Sequence, residues 1–543
     1  MVFARRSTTL LAAIIASCAM VLSLTACTSD NKTVVDGQTT VTSNSAGGVA
    51  VFTPSDGITL NQQMPLNKWA KLVPDLTKAL VDAGFKKGDI NHTTSDSLDK
   101  QSRAIQDFVV DHLSNNTTDD SGIAIAPDNM TLLVAPVVEA DASTRQYGDY
   151  VSQNLSTNDV TDEGATSDGE SSEDDSSKDD SSNTESDSTA SDEQAQAVDR
   201  LVSSLKLAKE SGMHVVLLGN SIEGYKPDAF VKFSDAQTIG KLQAEKMVSK
   251  LKLDKASKDN PKYIEVLLPY TAMDEKGNAN DSTFAQEAFR GIWQVLGSYY
   301  QKGVVESPSG TLDGKSTEND WQAVAYDAAK EGSTAKVLDK RLAKTDGQST
   351  LTRIDGIITM NDYIASEVVK ELDDLGYTGS AADINPQITI SGIVGNITGK
   401  KDLSRDAVPD PIKSPENDNA NDSSSSDDDA DKDTSASDKD RDSQWPLVTG
   451  YGAYVSNIPS IVNGKQWMTG MEDRQTIATD IAQACAKLNK DEALNSMPSI
   501  RNSEVGGVKK IPTISEPLLA VSASNLKSAL IDHGYISLAD AGL

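Results

Sequence analysis

From residue 49 onward, short apolar runs rich in Val, Ile and Leu alternate with longer stretches whose apolar residues recur at helical spacing. The runs 49–53, 131–135, 214–218, 230–233, 263–268, 354–359, 388–391 and 447–449 read as strands. The stretches 66–85, 97–113, 194–211, 236–250, 284–300, 320–343, 363–375 and 474–488 read as helices. Several are stopped by a glycine, among them Gly84, Gly212 and Gly376. Buried strands that alternate with helices imply parallel sheets with right-handed crossovers. The alternation is too long for one sheet. The expected fold class is therefore α/β, with two doubly wound parallel-sheet lobes and a ligand crevice at the carboxyl ends of the strands.

Two tracts interrupt this pattern. Residues 159–193 hold 14 acids and one lysine, and residues 416–442 hold 11 acids and three basic residues. Neither has apolar surface to offset the entropy of ordering, so both are expected to be disordered spacers, placed as insertions at 156–193 and 402–443. Neither carries calcium-loop spacing. The tracts account for most of the chain's net charge of −31, and they dilute its 5% aromatic content. Clustered cations of the kind that displace phosphate counterions are missing, which argues against nucleic acid as a partner. Three cysteines in 543 residues exclude a disulfide scaffold and a four-cysteine zinc site. The histidines at 92, 112, 214 and 533 have no metal-ligand spacing. No metal or cofactor is expected. Cys485 lies on an apolar helical stripe with Ile477, Ile481 and Leu488 and reads as a buried thiol.

The amino terminus carries Arg5 and Arg6, then an apolar segment from Leu10 to Leu24 of signal-peptide length. It ends in Leu24-Thr25-Ala26-Cys27, which resembles the lipobox of bacterial lipoproteins. That resemblance implies a signal peptide over 1–26, diacylation at Cys27 and a lipid-anchored protein on the outer face of the cell membrane. Cleavage there removes two arginines from a net charge of −31 and leaves −33. Residues 27–48, rich in Thr, Ser and Asn, read as a tether.

Six segments, taken in order, resemble the sugar-binding proteins of bacterial ABC importers. They are Phe52-Thr-Pro-Ser55 with Trp69 and the Ala83-Gly84-Phe85 helix end, and the helix to Gly212 followed by His214-Val-Val-Leu-Leu. Next come the strand and helix around Val231-Lys-Phe-Ser-Asp235-Ala, and Asp355-Gly-Ile-Ile-Thr-Met-Asn361-Asp362. Last are Ile458-Pro-Ser-Ile-Val-Asn-Gly-Lys-Gln-Trp-Met-Thr469 and the closing region with Ile511-Pro-Thr and Glu516-Pro-Leu, the latter as in the xylose-binding branch. The resemblance implies the type I periplasmic-binding-protein fold, with lobes at 49–233 and 234–472, a returning helix at 473–490 and closing strands at 491–543. It implies hinge closure around a carbohydrate and docking on permease subunits. Trp69, Trp321 and Tyr451 become candidate stacking platforms, and Asn361, Asp362, Asn220 and Ser55 candidate hydroxyl partners.

Each candidate has a second reading. Asn361 and Asp362 stand where a cleft residue must stand, but Asn-Asp before a helix is also a cap. Asp235 reads the same way before the 236–250 helix. Glu472 and Asp473 fall where the chain returns between lobes and are hinge or cleft residues. Trp321 opens a helix and is either a core anchor or a platform. Two departures bear on the ligand. The first lobe's strand ends Gly219-Asn220-Ser221 where the family carries Asp-Arg, and neither 390–396 nor 448–454 supplies the family's second-lobe Asp. No nucleophile with a base is in view, so no enzyme activity is expected. The alternatives are a ligand-sensing lipoprotein with a non-sugar ligand, and a surface interaction protein with a decayed cleft.

Overall fold

A computed structural model describes residues 32–35, 38–41, 46–55, 65–115, 125–138, 144–157, 185–273, 280–343, 351–382 and 445–543. The chain divides into two units, Met1–Asn44 and Ser45–Leu543. The first contains an antiparallel strand pair, Lys32–Val35 with Gln38–Val41, where the composition suggested only a tether. Both runs are rich in Thr and Val, and Asp36-Gly37 between them is a hairpin dipeptide.

The second unit is built on two parallel sheets. Strand Gly48–Pro54 lies one strand in from the edge of the larger one, paired in parallel with the edge strand Ile90–Ser95 on one side and Met130–Val134 on the other. His214–Leu218, Ala229–Lys232 and Val508–Ser515 follow in parallel, and Ile500–Val505 closes the edge antiparallel. Gly48–Pro54 is buried on both faces, as an inner strand of a doubly wound sheet requires. Val49 and Val51 face the core shared with helices Trp69–Asp82 and Arg474–Leu488, whereas Ala50 and Phe52 face helices Leu98–Asn115 and Glu185–Glu210. The smaller sheet runs Val305–Glu306, Lys262–Val266, Gly356–Ile358, Leu447–Thr449, all parallel. Ile264, Val266, Ile357, Ile358 and Val448 fill its core with helices Ala236–Leu251, Thr283–Gln301 and Asp362–Asp374. The chain passes between the sheets three times: after Lys232, after Met471 and after Ser515. This is the two-lobed α/β architecture expected from the alternation of strands and helices.

Three elements depart from the sequence reading. The single helix expected over 320–343 is broken into Trp321–Val324, a strand Ala325–Tyr326 and helix Ser333–Arg341. The break comes from pairing: Ala325–Tyr326 lies parallel to Leu268–Pro269, and Asp327 Oδ1 accepts from the Ala329 amide to turn the chain. The helix expected from residue 194 begins at Glu185, inside the first acidic tract. Propagation from a formed helix is easy, and acids are favourable at its amino end. Strand Ile90–Ser95 escapes hydropathy because four of its six residues are exposed, as suits a polar edge. The 388–391 run, the second acidic tract, the apolar leader and Cys27 lie outside the described residues. Cys485 is fully buried, and burial pushes its thiol far above the ordinary value.

Candidate interlobe cleft

The carboxyl ends of both sheets converge on residues 144–155, which lie between the lobes. On the first lobe, Asp149 takes the Lys68 ammonium at 2.7 Å and the Trp69 amide at 3.1 Å. Its own amide donates to the Asn67 carbonyl at 2.8 Å. Tyr150 is 1% exposed and packs its ring on Phe233 at 4.7 Å and on Trp69 at 5.1 Å, while its hydroxyl donates to the Lys68 carbonyl at 2.5 Å. Trp69 also meets Phe233 edge-on at 5.6 Å. Asn220, just past strand His214–Leu218, accepts from the Gln153 amide at 2.9 Å and donates to the Pro136 carbonyl at 2.9 Å. Asn154–Leu155 then pairs in parallel with Ser221–Ile222.

On the second lobe the same segment meets side chains. Asn361 caps helix Asp362–Asp374 by accepting from the Ile364 amide at 2.9 Å, and its Nδ2 donates to Gln146 Oε1 at 3.1 Å. Tyr454 donates its hydroxyl to the Gln146 carbonyl at 2.7 Å. The Tyr147 ring lies 4.7 Å from Phe284 and 6.2 Å from Tyr451. Backbone strain collects at the same strand ends. Met360 and Ala453, neither of them glycine, have φ of 68° and 50°, beside Asn361 and Tyr454. Strained residues held in this way mark functional positions more often than chance sites.

The hinge is a buried polar cluster. Glu472 accepts from the Ser234 amide at 2.6 Å and from its hydroxyl at 2.5 Å, and that hydroxyl also contacts the Tyr451 hydroxyl. Burial pushes the Glu472 carboxyl up to about 7, against the pull of the donors that face it. Burial beside Glu472 drives the Tyr451 phenol well above its ordinary value.

Five sequence candidates make their contacts elsewhere. Asp362 is fully buried and accepts from the Tyr454 amide at 2.9 Å, Gln466 Nε2 at 2.7 Å and Thr469 Oγ1 at 2.8 Å. Burial raises its carboxyl to about 6. It knits helix Asp362–Asp374 to its neighbours, and a Cβ on Gly450 would come within 2.1 Å of Oδ1. Asp235 and Asp473 cap helices Ala236–Leu251 and Arg474–Leu488, because each precedes a helix whose third residue is a threonine that returns to the carboxylate. Trp321 sits in the second lobe's core, edge-on to Tyr270 at 5.1 Å. Ser55 is exposed at the end of strand Gly48–Pro54, its amide bonded to the Ser95 carbonyl. Trp69, Asn220, Asn361, Tyr451 and Glu472 are thus gathered around the interlobe segment and its hinge. Of the two candidate loops, 448–454 reaches this region and 390–396 lies outside the described residues.

Sequence reading missed Lys68, Gln146, Tyr147, Asp149, Tyr150 and Phe284. The available signal was Gln146-Tyr-Gly-Asp-Tyr150, an aromatic pair around a glycine just ahead of an acidic tract. Among the described residues, no group of three or more His, Cys, Asp or Glu could hold a metal, and no helix is long and apolar enough to cross a membrane.

No family model matches the sequence, and no curated protein matches it. Among solved structures, the chain is similar to an ABC transporter solute-binding protein from Clostridium phytofermentans with bound β-D-glucose. Identity is 16%, coverage 91% of this chain and 99% of that one, and the TM-score 0.44. It is similar to a carbohydrate transporter solute-binding protein from Chloroflexus aurantiacus in complex with D-glucose, at 17% identity, 92% and 98% coverage, and a TM-score of 0.42. It is also similar to an arabinose-binding protein from Geobacillus stearothermophilus, at 10% identity, 89% and 99% coverage, and a TM-score of 0.41.

Proposed function

We propose that the chain is a surface-anchored solute-binding lipoprotein of an ABC importer, which takes a carbohydrate between its lobes and delivers it to permease subunits. The observation that carries this reading is the convergence of both sheets' carboxyl ends on one space, with three chain crossings behind it. Strand ends at a topological switch point are where doubly wound sheets bind ligands. The groups gathered there suit a sugar: the amides of Asn220 and Asn361 can donate and accept at once, and Tyr451 supplies a flat apolar face. Three passages of chain supply the hinge for closure. The Leu24–Cys27 segment supports anchoring by a diacyl group at Cys27.

Thermal-shift and calorimetric titration against a panel of mono- and oligosaccharides tests the binding step. A sugar that raises the melting temperature is the expected result, and a panel without effect overturns the carbohydrate reading. Mass spectrometry of the mature chain, with Cys27 as a diacylated first residue, tests the anchor.

A second reading, a ligand-sensing lipoprotein with a non-sugar ligand, is favoured by one observation. The strand-end groups Asn220 and Asn361 are uncharged, and the nearby carboxylate of Asp362 is turned into buried donors. Stabilisation by amino acids or peptides from the same assay, and by no sugar, would select it.

A further inference from the structure

Residues 144–155 stand on the proposed ligand site. Four of the gathered sequence candidates are already in contact with them: Trp69 and Asn220 from the first lobe, Asn361 and Tyr451 from the second. Tyr147 and Tyr150 are each 1% exposed, and they belong to different cores. Tyr150 stacks within the first lobe on Trp69 and Phe233, whereas Tyr147 and Val151 are part of the second lobe's apolar cluster. One short segment therefore joins both lobes through aromatic burial, a charge pair and amide bonds, which are the interactions a bound solute would make.

We propose that this segment is a strap that closes the cleft from within. It holds the lobes together, and a solute enters only as the strap leaves the second lobe. The inference rests on the solute-binding reading only for its second half. The closure stands on contacts alone.

The strap's tightest point is Gly148. Its φ is 94°, and a Cβ there would lie 2.5 Å from the Asn67 carbonyl oxygen and 2.8 Å from the Asn67 Cβ. Neither neighbour is the far end of a flexible side chain, so Gly148→Ala must lift the strap. Gln146→Ala with Tyr147→Ala removes the second lobe's hydrogen bond to the Gln146 side chain and its Tyr147 contacts without adding bulk, and leaves only Val151 of the strap in that lobe's cluster.

The test is small-angle X-ray scattering of the ligand-free full chain and both variants, with circular dichroism to verify folding, followed by titration with D-glucose and D-xylose. The expected result is a larger radius of gyration in both variants. Sugar affinity should rise roughly 10- to 100-fold, the factor by which a competent population of about 1–10% weakens apparent binding. If Gly148→Ala does not fold, the Gln146→Ala/Tyr147→Ala variant carries the test. Folded variants with unchanged scattering overturn the strap, as does a wild-type protein that binds either sugar as tightly as the variants do. Variants that open yet bind neither sugar leave the strap standing and count against a carbohydrate ligand.

Discussion

The two faces of the cleft hold the same segment by different means. The first lobe grips residues 149–155 with backbone pairing at Asn154–Leu155, the Lys68–Asp149 ion pair and an aromatic stack around Trp69. The second lobe holds residues 146–147 through side chains and one carbonyl: Asn361 to the Gln146 amide, Tyr454 to the Gln146 carbonyl, and Tyr147 against Phe284. From the rest it takes only the Val151 side chain. Backbone pairing and a buried stack must break as a unit, while isolated side-chain bonds can be exchanged one at a time for bonds to water or ligand. The segment is therefore part of the first lobe's fold and a removable contact of the second. Opening should separate it from Asn361 and Tyr454 and leave it on Trp69.

The largest test of this asymmetry is Trp69→Ala. It removes a 2% exposed ring on which both Tyr150 and Phe233 pack, and should cost about 3–5 kcal/mol in denaturant unfolding. A loss below 1 kcal/mol would place the first lobe's grip elsewhere.

Next in size is the hinge. The Glu472 carboxyl is raised from its ordinary value to about 7, so the folded state binds a proton there that the unfolded state has lost. Its stabilising contribution is complete below pH 4.5 and is lost as pH rises through 7. Glu472→Gln keeps an acceptor for the Ser234 amide and mimics the protonated form. The variant should lack this part of the pH dependence and exceed wild type at pH 8, by up to roughly 3 kcal/mol. Urea unfolding from pH 4.5 to 8 decides it, and parallel curves for the two proteins would remove Glu472 from the account.

The smallest effect belongs to the second lobe. Asn361→Ala loses a helix cap and the bond to Gln146, and should cost about 1 kcal/mol in global stability. Hydrogen exchange should rise at residues 146–148 more than at 149–155. Equal acceleration across both would contradict the two-sided attachment.

Much of the fold was legible because its signals are local. Strands such as His214–Leu218 are continuous apolar runs, and helix Arg474–Leu488 carries its stripe and cap in consecutive residues. Legibility failed where partners are distant. Ile90–Ser95 is polar on its exposed side and becomes a strand only beside Gly48–Pro54. Ala325–Tyr326 interrupts a good helical pattern because Leu268–Pro269 is available to pair with it. The surroundings of the candidate residues were not legible. Asn361 and Asp362 are adjacent in sequence and both polar, yet one faces the cleft segment and the other turns into the lobe.

The sequence alone determined the alternation of elements, the strand ends at which a ligand site must lie, the acidic tracts and the lipobox-like leader. The alternation, the strand ends and the tracts follow from residue periodicity or composition over a few turns of chain, and the leader from its resemblance to a lipobox. Tertiary structure decided which strand-end residues meet, that Asp362 turns into its lobe, and that the cleft is filled by the chain itself. Those outcomes depend on burial and on partners as far apart as Ser234 and Glu472, separated by 238 positions. Desolvation and packing act on proximity in space, which a local pattern does not encode.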